Sequence, residues 1–208
     1  NPYADFVMQV DYLMGELLDC VQKQGLEKNT LVIFTSDNGC SPQANFDLLR
    51  EHGHNPSGIY RGHKADIFEG GHRVPLIVKW PGHIVPGEKT QAMACHTDIY
   101  TSLAEIVNQA DQASGGEDGY SLLPVFHGNK TSDRTAIVSH SIDGSFAIRE
   151  GNWKLCLCYG SGGWSVPKEK VAKAEKLPPL QLYDLSKDVA ETTNTAEKHP
   201  EKVVHLLR

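Results

Sequence analysis

Two adjacent oxygen-bearing side chains, Asp37 and Asn38, follow the apolar run Leu31–Thr35. That run is rich in β-branched and aromatic residues, which predicts a buried strand. Ligand sites in open α/β sheets form outside the carboxyl ends of the strands, so this is where chemistry is expected. A carboxylate and an amide oxygen suit Ca²⁺ or Mg²⁺ better than a soft metal. The alternative is an ordinary Asn-Gly turn at the end of a strand.

A second candidate is Lys64, which lies in the glycine-flanked, charged segment Arg61–Arg73, just before another apolar run, Leu76–Val78. A lysine in such a segment can act as a point charge on a tetrahedral anion. The alternative is a solvated surface lysine. Glu69 and Arg73 are expected to brace the glycine turn between them, and the histidines nearby are expected to be structural.

Residues 40–60 hold prolines and glycines but little periodicity, so the sequence predicts a loop. Its polar side chains suit the rim of a site, and His54 is the candidate for contact with substrate. A simple solvated loop explains each of these residues equally well.

The elements that must position these residues follow from periodicity and turn signals. In the first part of the chain the patterns predict a helix over 4–23 stopped by Gly25, strands over 31–36 and 74–79, and a helix through Val107 capped by Thr97 or Asp98. Such α–β units imply a parallel or mixed sheet with helices on its faces.

From about residue 136 the pattern changes to short strands. They are predicted over 136–140, 146–149, 153–159 and 180–185, with a hairpin turn at Gly151-Asn152, a charged loop over 168–176 and a short closing helix. This order suggests a small antiparallel sheet packed by a C-terminal helix. The predicted domains are therefore 1–132, an α/β part, and 133–208, a small antiparallel subdomain.

Composition narrows the functional classes. The 208 residues carry a formal net charge of −6 with no basic block, which gives no support for a nucleic-acid-binding role, and no nucleic-acid partner is expected. No apolar run reaches the roughly 20 residues of a membrane span. The five cysteines show no metal-finger spacing, and Cys156 and Cys158 are expected to be buried thiols on one face of a strand.

Taken together, these segments resemble the sulfatase family. Thr30–Gly39 looks like the family's metal-binding strand end, and Arg61–Pro75 looks like its sulfate-lysine segment. Further similar segments are Trp80–Gly82, Ile148–Leu155, Leu182–Leu185 and the positions Asp188, Glu191 and Asn194. The resemblance covers nearly the whole chain.

The resemblance implies an alkaline-phosphatase-like α/β fold, here the C-terminal part of its main mixed sheet plus the small antiparallel sheet. It also implies a sulfuric ester hydrolase acting on a sulfated small molecule or glycan. Asp37 and Asn38 would be two of its Ca²⁺ ligands, and Lys64 would hold a sulfate oxygen. The family's nucleophile is a formylglycine made from the cysteine of Cys-x-Pro/Ala-x-Arg. The segment from Cys40 lacks that arginine, so the nucleophile is expected upstream of this chain.

Two alternatives stay open. One is a phosphatase or phosphodiesterase of the same superfamily, although those commonly carry Asp-His-Gly at the strand end. The other is a non-catalytic module that binds a sulfated glycan, which the polar loop 40–60 and the aromatic residues Trp153, Tyr159 and Trp164 motivate.

The chain is expected to hold half of an active site and to be inactive alone, with weak Ca²⁺ binding, because Ca²⁺ takes roughly 6–8 oxygen ligands. A sheet cut from its parent exposes an unpaired edge, so we expect an oligomer or a larger assembly to cover it. The resemblance further implies a periplasmic or secreted protein.

Overall fold

The computed structural model of the protein describes residues 1–109 and 115–208. The elements of the first part are α1 (Pro2–Lys23), β1 (Val32–Thr35), α2 (Phe46–Glu51), α3 (Glu69–His72), β2 (Leu76–Lys79), α4 (Thr97–Ile106) and α5 (Leu123–Phe126). Those of the second part are β3 (Ala136–His140), β4 (Phe146–Glu150), β5 (Trp153–Cys156), α6 (Glu169–Ala174), β6 (Gln181–Asp184) and α7 (Pro200–Leu206). The protein is therefore a mixed α/β structure, as predicted.

The helix α1 confirms the prediction from the spacing of its apolar residues. The chain leaves it through Gly25, whose φ of 69° lies in the left-handed region that favours glycine after a helix. Every residue of α1 keeps some solvent exposure, and Phe6 and Leu17 are each 62% exposed. Its apolar stripe is thus only partly covered.

Two sheets are present in the described residues, one of β1 and β2 and one with the order β3-β4-β5-β6. In the larger sheet β4, β5 and β6 run antiparallel, with Glu150 opposite Trp153 at the hairpin end. Gly151 has a φ of 56°, which the tight turn between these strands requires. The hairpin and the antiparallel sheet confirm the prediction.

The strands β4, β5 and β6 carry buried side chains on both faces of the sheet, since successive side chains of a strand alternate between the two faces. On one face Leu155 and Leu182 pack against the α7 side chains Val203 and Leu206. The other face packs against Ile67 and Phe68 in a second cluster, completed by Ala147, Cys156, Cys158, Tyr183 and Leu185. The residues just after Lys64 therefore belong to the core of this sheet.

The segment 40–60 is not wholly a loop, and that part of the prediction is wrong. It contains a 3-10 turn, Pro42–Ala44, and the helix α2. Asn45 caps α2, since its side chain accepts a hydrogen bond from the amide of Leu48 at 3.3 Å. A single Asn cap and fewer than two helical turns produce too little periodicity to detect in a sequence.

Two further boundaries differ from the prediction. The charged segment 168–176 contains the helix α6, because Ala172 is fully buried and gives this short helix a core contact. The strand β5 ends at Cys156 instead of reaching residue 159. Both thiols, Cys156 and Cys158, are buried and free, as expected.

The N-cap of α4 is His96, so neither of the two predicted capping residues, Thr97 and Asp98, holds that position. Asp98 lies within the first turn of the helix. It is fully buried, accepts the amides of Cys95 and Tyr120, and lies 2.9 Å from the guanidinium Nε of Arg134. Burial would raise the pKa of this carboxyl, but the hydrogen bonds from Arg134 and from the amides of Tyr120 and Cys95 together outweigh burial and lower the pKa.

The chain divides into two compact units, one of Asn1–Asp19, Phe34–Leu76 and Val138–Arg208, the other of Cys20–Ile33 and Ile77–Ile137. The boundary between 132 and 133 stays a prediction. All residues discussed in the next section, apart from β1, belong to the first unit. Among the described helices, none is both long and apolar enough to cross a membrane.

Candidate functional site

The candidate metal-binding residues lie in the turn that follows β1. Asp37 is exposed and Asn38 is partly buried. The hydroxyl of Ser36 donates to the carbonyl of Asn38 at 3.1 Å, which closes the turn. The amide nitrogen of Asn38 donates to the carbonyl of Gly39 at 3.0 Å, so its side-chain oxygen stays available as an acceptor. We call residues 36–39 the lip.

The lip contacts the segment that carries Lys64. The amide of Lys64 donates to the carbonyl of Cys40 at 3.0 Å, and the amide of Gly39 donates to the carbonyl of Gly71 at 2.9 Å. A Cβ at Gly39 would lie 1.8 Å from the carbonyl oxygen of Gly70. Position 39 therefore has to be glycine for this close approach. The structure brings Asp37, Asn38 and Lys64 onto neighbouring backbones.

The turn that holds Lys64 is fixed by the buried carboxylate of Asp66. Its oxygens accept the backbone amides of His63, Trp164 and Ser165, each at 2.9 Å, and the hydroxyl of Ser165 as well. Hydrogen bonds to a carboxylate are about twice as strong as neutral ones. Asp66 thus joins the backbone on one side of Lys64 to the loop at 164–165.

Ala65 adds a second constraint on the same turn. Its φ of 84° is unfavourable for a residue with a Cβ and costs roughly 1–2 kcal/mol. The surrounding contacts offset that cost, since the carbonyl of Ala65 accepts the amide of Ile142 at 3.0 Å. Lys64 is therefore presented from a rigid backbone while its side chain stays partly exposed.

Below this turn lies a cluster of buried charges. The Nζ of Lys154 is 3.1 Å from Glu69 and 2.9 Å from Glu191, and all three side chains are nearly inaccessible to solvent. Arg149 lies 3.0 Å and Arg73 3.4 Å from the Glu69 carboxylate. We call these five residues the charge cluster. It joins α3, β4, β5 and the turn at residue 191.

Each acid of the charge cluster responds differently to its surroundings. Burial alone would raise the pKa of Glu69, but Lys154, Arg149 and Arg73 outweigh it and lower that pKa. For Glu191 burial dominates and raises the pKa. The Oε2 atom of Glu191 also accepts a hydrogen bond from the Glu69 amide at 2.6 Å, which ties the first residue of α3 into the cluster.

Arg61 connects the cluster to the start of the Lys64 segment. Its guanidinium donates to the carbonyl of Glu191 at 2.7 Å and lies 3.8 Å from the ring centroid of Phe68. Its own carbonyl accepts the amide of Gly70 at 2.7 Å. The Lys64 segment is thus a closed loop of backbone, held from inside by Arg61 and Glu69.

The sequence reasoning found part of this arrangement. Glu69 and Arg73 do brace the glycine turn, but Glu69 also pairs with Lys154, which the reasoning missed. The role of Asp66 was missed as well, and Glu191 was named only as a position of the family resemblance, without its pairing to Lys154. One signal was available for Lys154, because a charged residue in the middle of an apolar strand requires a buried partner.

His54 lies just after α2 with an exposed side chain. Its backbone amide donates to the carbonyl of Leu49 at 2.9 Å. Among residues 1–109 and 115–208, no side-chain hydrogen bond or ion pair joins His54 to the lip or to Lys64. Its role in substrate binding stays a prediction.

The donor chemistry of the lip fits a hard cation. Asp37 offers an exposed carboxylate that pairs with no cation among the described residues, and Asn38 offers an amide oxygen. No group of three or more His, Cys, Asp or Glu side chains in the described part of the chain could hold a metal ion. A Ca²⁺ ion bound at the lip would therefore need further oxygen ligands, since it takes roughly 6–8.

Comparison with known proteins identifies relatives of the whole chain. A family model described as Sulfatase matches residues 1–109. An N-acetylgalactosamine-6-O-sulfatase of Bacteroides thetaiotaomicron is 34% identical over 98% of this chain, and human arylsulfatase A is 34% identical over 93%.

Solved structures agree. A sulfatase structure from work on glycosaminoglycan metabolism by Bacteroides thetaiotaomicron superposes with a TM-score of 0.81 at 34% identity, covering 97% of this chain and 42% of that one. A sulfatase from Pseudoalteromonas sp. gives 0.77 at 26% identity, covering 100% and 41%.

The chain spans about 40% of the length of the bacterial relative and 39% of human arylsulfatase A. The fold is the alkaline-phosphatase-like fold of these sulfatases. On the match to its first 109 residues and on these relatives, the chain belongs to the sulfatase family.

Proposed function

We propose that the protein to which this chain belongs hydrolyses sulfate esters, with Lys64 on the sulfate and with Asp37 and Asn38 among its Ca²⁺ ligands. One observation carries the proposal. The backbones of the lip and of the Lys64 segment are hydrogen-bonded to each other, through Lys64 to Cys40 and Gly39 to Gly71, in a member of the sulfatase family.

The roles of these residues follow from their chemistry. The ammonium of Lys64 would donate to a sulfate oxygen and offset negative charge that develops there during cleavage. The rigid turn formed by Ala65 and Asp66 keeps the lysine in place without reorganisation. Asp37 and Asn38 would hold Ca²⁺, which when bound supplies positive charge to the sulfate oxygens. The formylglycine nucleophile is expected outside this chain.

The proposed substrate is a sulfated glycan or a smaller sulfate ester. The bacterial relative is by name an N-acetylgalactosamine-6-O-sulfatase, and the human relative is by name an arylsulfatase. Proteins similar to this chain are thus named for sugar sulfates and for aryl sulfates. By the same similarity we propose a periplasmic or secreted location.

The test compares the whole protein on matched aryl sulfate and aryl phosphate esters. We expect faster turnover of the sulfate, and loss of that turnover by roughly 100-fold or more in Lys64→Ala, the scale seen when a charge-stabilising donor is removed. Lys187→Ala, whose side chain is 82% exposed, is the matched control and should retain activity. Faster turnover of the phosphate would favour a phosphatase instead.

We also propose that residues 1–208 alone are catalytically silent and bind Ca²⁺ more weakly than about 10 micromolar, the weak end of sensor sites. The lip offers two side-chain ligands where the ion takes roughly 6–8 oxygens. Calorimetric titration of the purified 208-residue chain measures this directly. Tighter binding, or aryl sulfate turnover that disappears in Lys64→Ala, would show that half of the site is sufficient.

A further inference from the structure

An open cleft of ≈ 520 Å³ lies beside the Lys64 segment. Its walls include Phe46 and Arg50 of α2, His63 directly before Lys64, and Ser165 and Val166 from the loop that Asp66 fixes. Lys64 directly follows His63 of the cleft wall, and its amide donates to Cys40, which lies two residues before Pro42 of the same wall. A sulfate held at Lys64 would therefore have the rest of its molecule close to the cleft.

The walls combine apolar surface with few polar groups, as small-molecule sites do. The rings of Phe46 and His63 meet edge to face, with centroids 5.4 Å apart. Val166 is 80% exposed on the facing loop. A sugar ring has an apolar C–H face and polar edges, so surfaces of this kind can hold it by contact on the face and hydrogen bonds at the edge.

Three charged side chains line the cleft, the cations Arg50 and Arg61 and the acid Asp47, so cations outnumber acids there. The guanidinium of Arg61 also lines the cleft, but it is engaged by the carbonyl of Glu191 and the ring of Phe68. The Arg50 side chain is 59% exposed, and its acidic neighbour Asp47 lies 3.5 Å away and is 92% exposed, which makes a weak surface pair. Arg50 thus keeps donors for an incoming anion.

We propose that this cleft binds the sugar next to the sulfated one and that Arg50 contacts an anionic group on it, a carboxylate or a second sulfate. A guanidinium matches either group with two parallel hydrogen bonds. The inference rests on the proposed sulfatase activity and deepens it, because it assigns the substrate to acidic or multiply sulfated glycans.

The experiment uses the whole protein and four substrates. They are an aryl sulfate, a monosulfated disaccharide with a neutral second sugar, the same disaccharide with a uronic acid, and the same disaccharide with a second sulfate. Arg50→Gln should lower kcat/KM for at least one of the two anionic disaccharides by roughly 10- to 100-fold, the range of a hydrogen bond to a charged group. The arm with the larger loss identifies the anion.

The proposal is decided by whether the loss of activity is specific to the anionic disaccharides. The loss in Arg50→Gln should be at least roughly tenfold larger for the anionic than for the neutral disaccharide, and Phe46→Ala should weaken all three disaccharides more than the aryl sulfate. Lys187→Gln, an exposed cation elsewhere, is the control and should change none of the four. Equal losses on all substrates, or no loss on either anionic disaccharide, would overturn the proposal.

A binding measurement separates this inference from the proposed function. Calorimetry with the anionic disaccharides does not require turnover. If no sulfate ester is hydrolysed but Arg50→Gln weakens binding by roughly tenfold, the cleft assignment stands and the activity is wrong. If sulfate esters are hydrolysed and Arg50→Gln binds as well as the unmodified protein, the cleft assignment is wrong.

Discussion

The charge cluster and the lip hold similar side chains in opposite environments. The side chains of Lys154, Glu69 and Glu191 are almost completely buried, and the ammonium forms ion pairs with the two carboxylates at 2.9 to 3.1 Å. Asp37 is exposed, and Lys64 is partly exposed on a backbone that is fixed. A buried charge is costly unless it is paired, whereas a partly exposed one is available to a ligand. The first set therefore supports the fold, and the second set is suited to chemistry.

Removing the shared cation should have the largest effect on stability. Lys154→Met leaves Glu69 and Glu191 close together without their ammonium, and we expect a loss of about 3–5 kcal/mol in the free energy of unfolding. Urea unfolding of the whole protein measures the change. Lys173→Met is the control, since Lys173 is 58% exposed and lies 3.7 Å from Glu169, and it should cost about 0.5 kcal/mol or less. Equal losses of stability in Lys154→Met and Lys173→Met would mean that burial of the lysine does not determine its contribution.

A smaller loss is expected from Asp66→Asn. The amide replaces one acceptor oxygen by a donor, which then faces the amides that now bind Asp66, and the cost should be about 1–3 kcal/mol. Because Asp66 fixes the turn beside Lys64, sulfate ester turnover should fall as well. Asp47→Asn, at an exposed position, serves as the control for stability. An unchanged melting temperature in Asp66→Asn would contradict the role of Asp66 in fixing this turn.

The pH dependence of stability should reveal His72, whose Nε2 is buried without a hydrogen-bond partner in the described structure. Burial lowers the pKa of His72 to about 4, and Lys154 adds to the shift while Glu69 opposes it. The unfolded pKa is about 6.5, so the unfolded chain binds the proton first and stability falls as the pH drops from 6.5 towards 4. The effect should be on the order of 2 kcal/mol.

The measurement compares unfolding free energies at pH 7 and pH 4.5 for the unmodified protein and His72→Gln. Carboxylates titrate in both proteins, so the difference between their pH slopes isolates the histidine. A steeper loss in His72→Gln would show that the assigned direction is wrong.

The smallest effect on stability is expected at the partly exposed lysine. Lys64→Met should change the free energy of unfolding by no more than about 0.5 kcal/mol, because its backbone hydrogen bond to Cys40 is kept and its side chain has no described ion pair. The same variant should remove sulfate ester turnover. Thermal unfolding and an aryl sulfate assay on one preparation test both expectations. A large loss of stability would place Lys64 among the residues that support the fold.

The elements that have strong periodicity or clear turn signals were predictable. These include α1, β1, β2 and the hairpin at Gly151, whose patterns are local and long enough to detect. The helices α2 and α6 were missed because each has six residues, and a cap at Asn45 or the burial of Ala172 stabilises them. Short helices depend on tertiary contacts more than on intrinsic propensity.

For the candidate site, the sequence by itself determined the residue types and the order of the motifs, and these were sufficient to indicate the family. Only the tertiary structure decided which charges are buried and which are open to a ligand. In the sequence, Lys154 is a charged residue in a strand with no evident partner. In the folded chain, Glu69 and Glu191, which are distant in the sequence, lie within 3.1 Å of its ammonium. Local patterns do not contain such pairings, because the cost of burying a charge depends on partners that only the folded chain brings together.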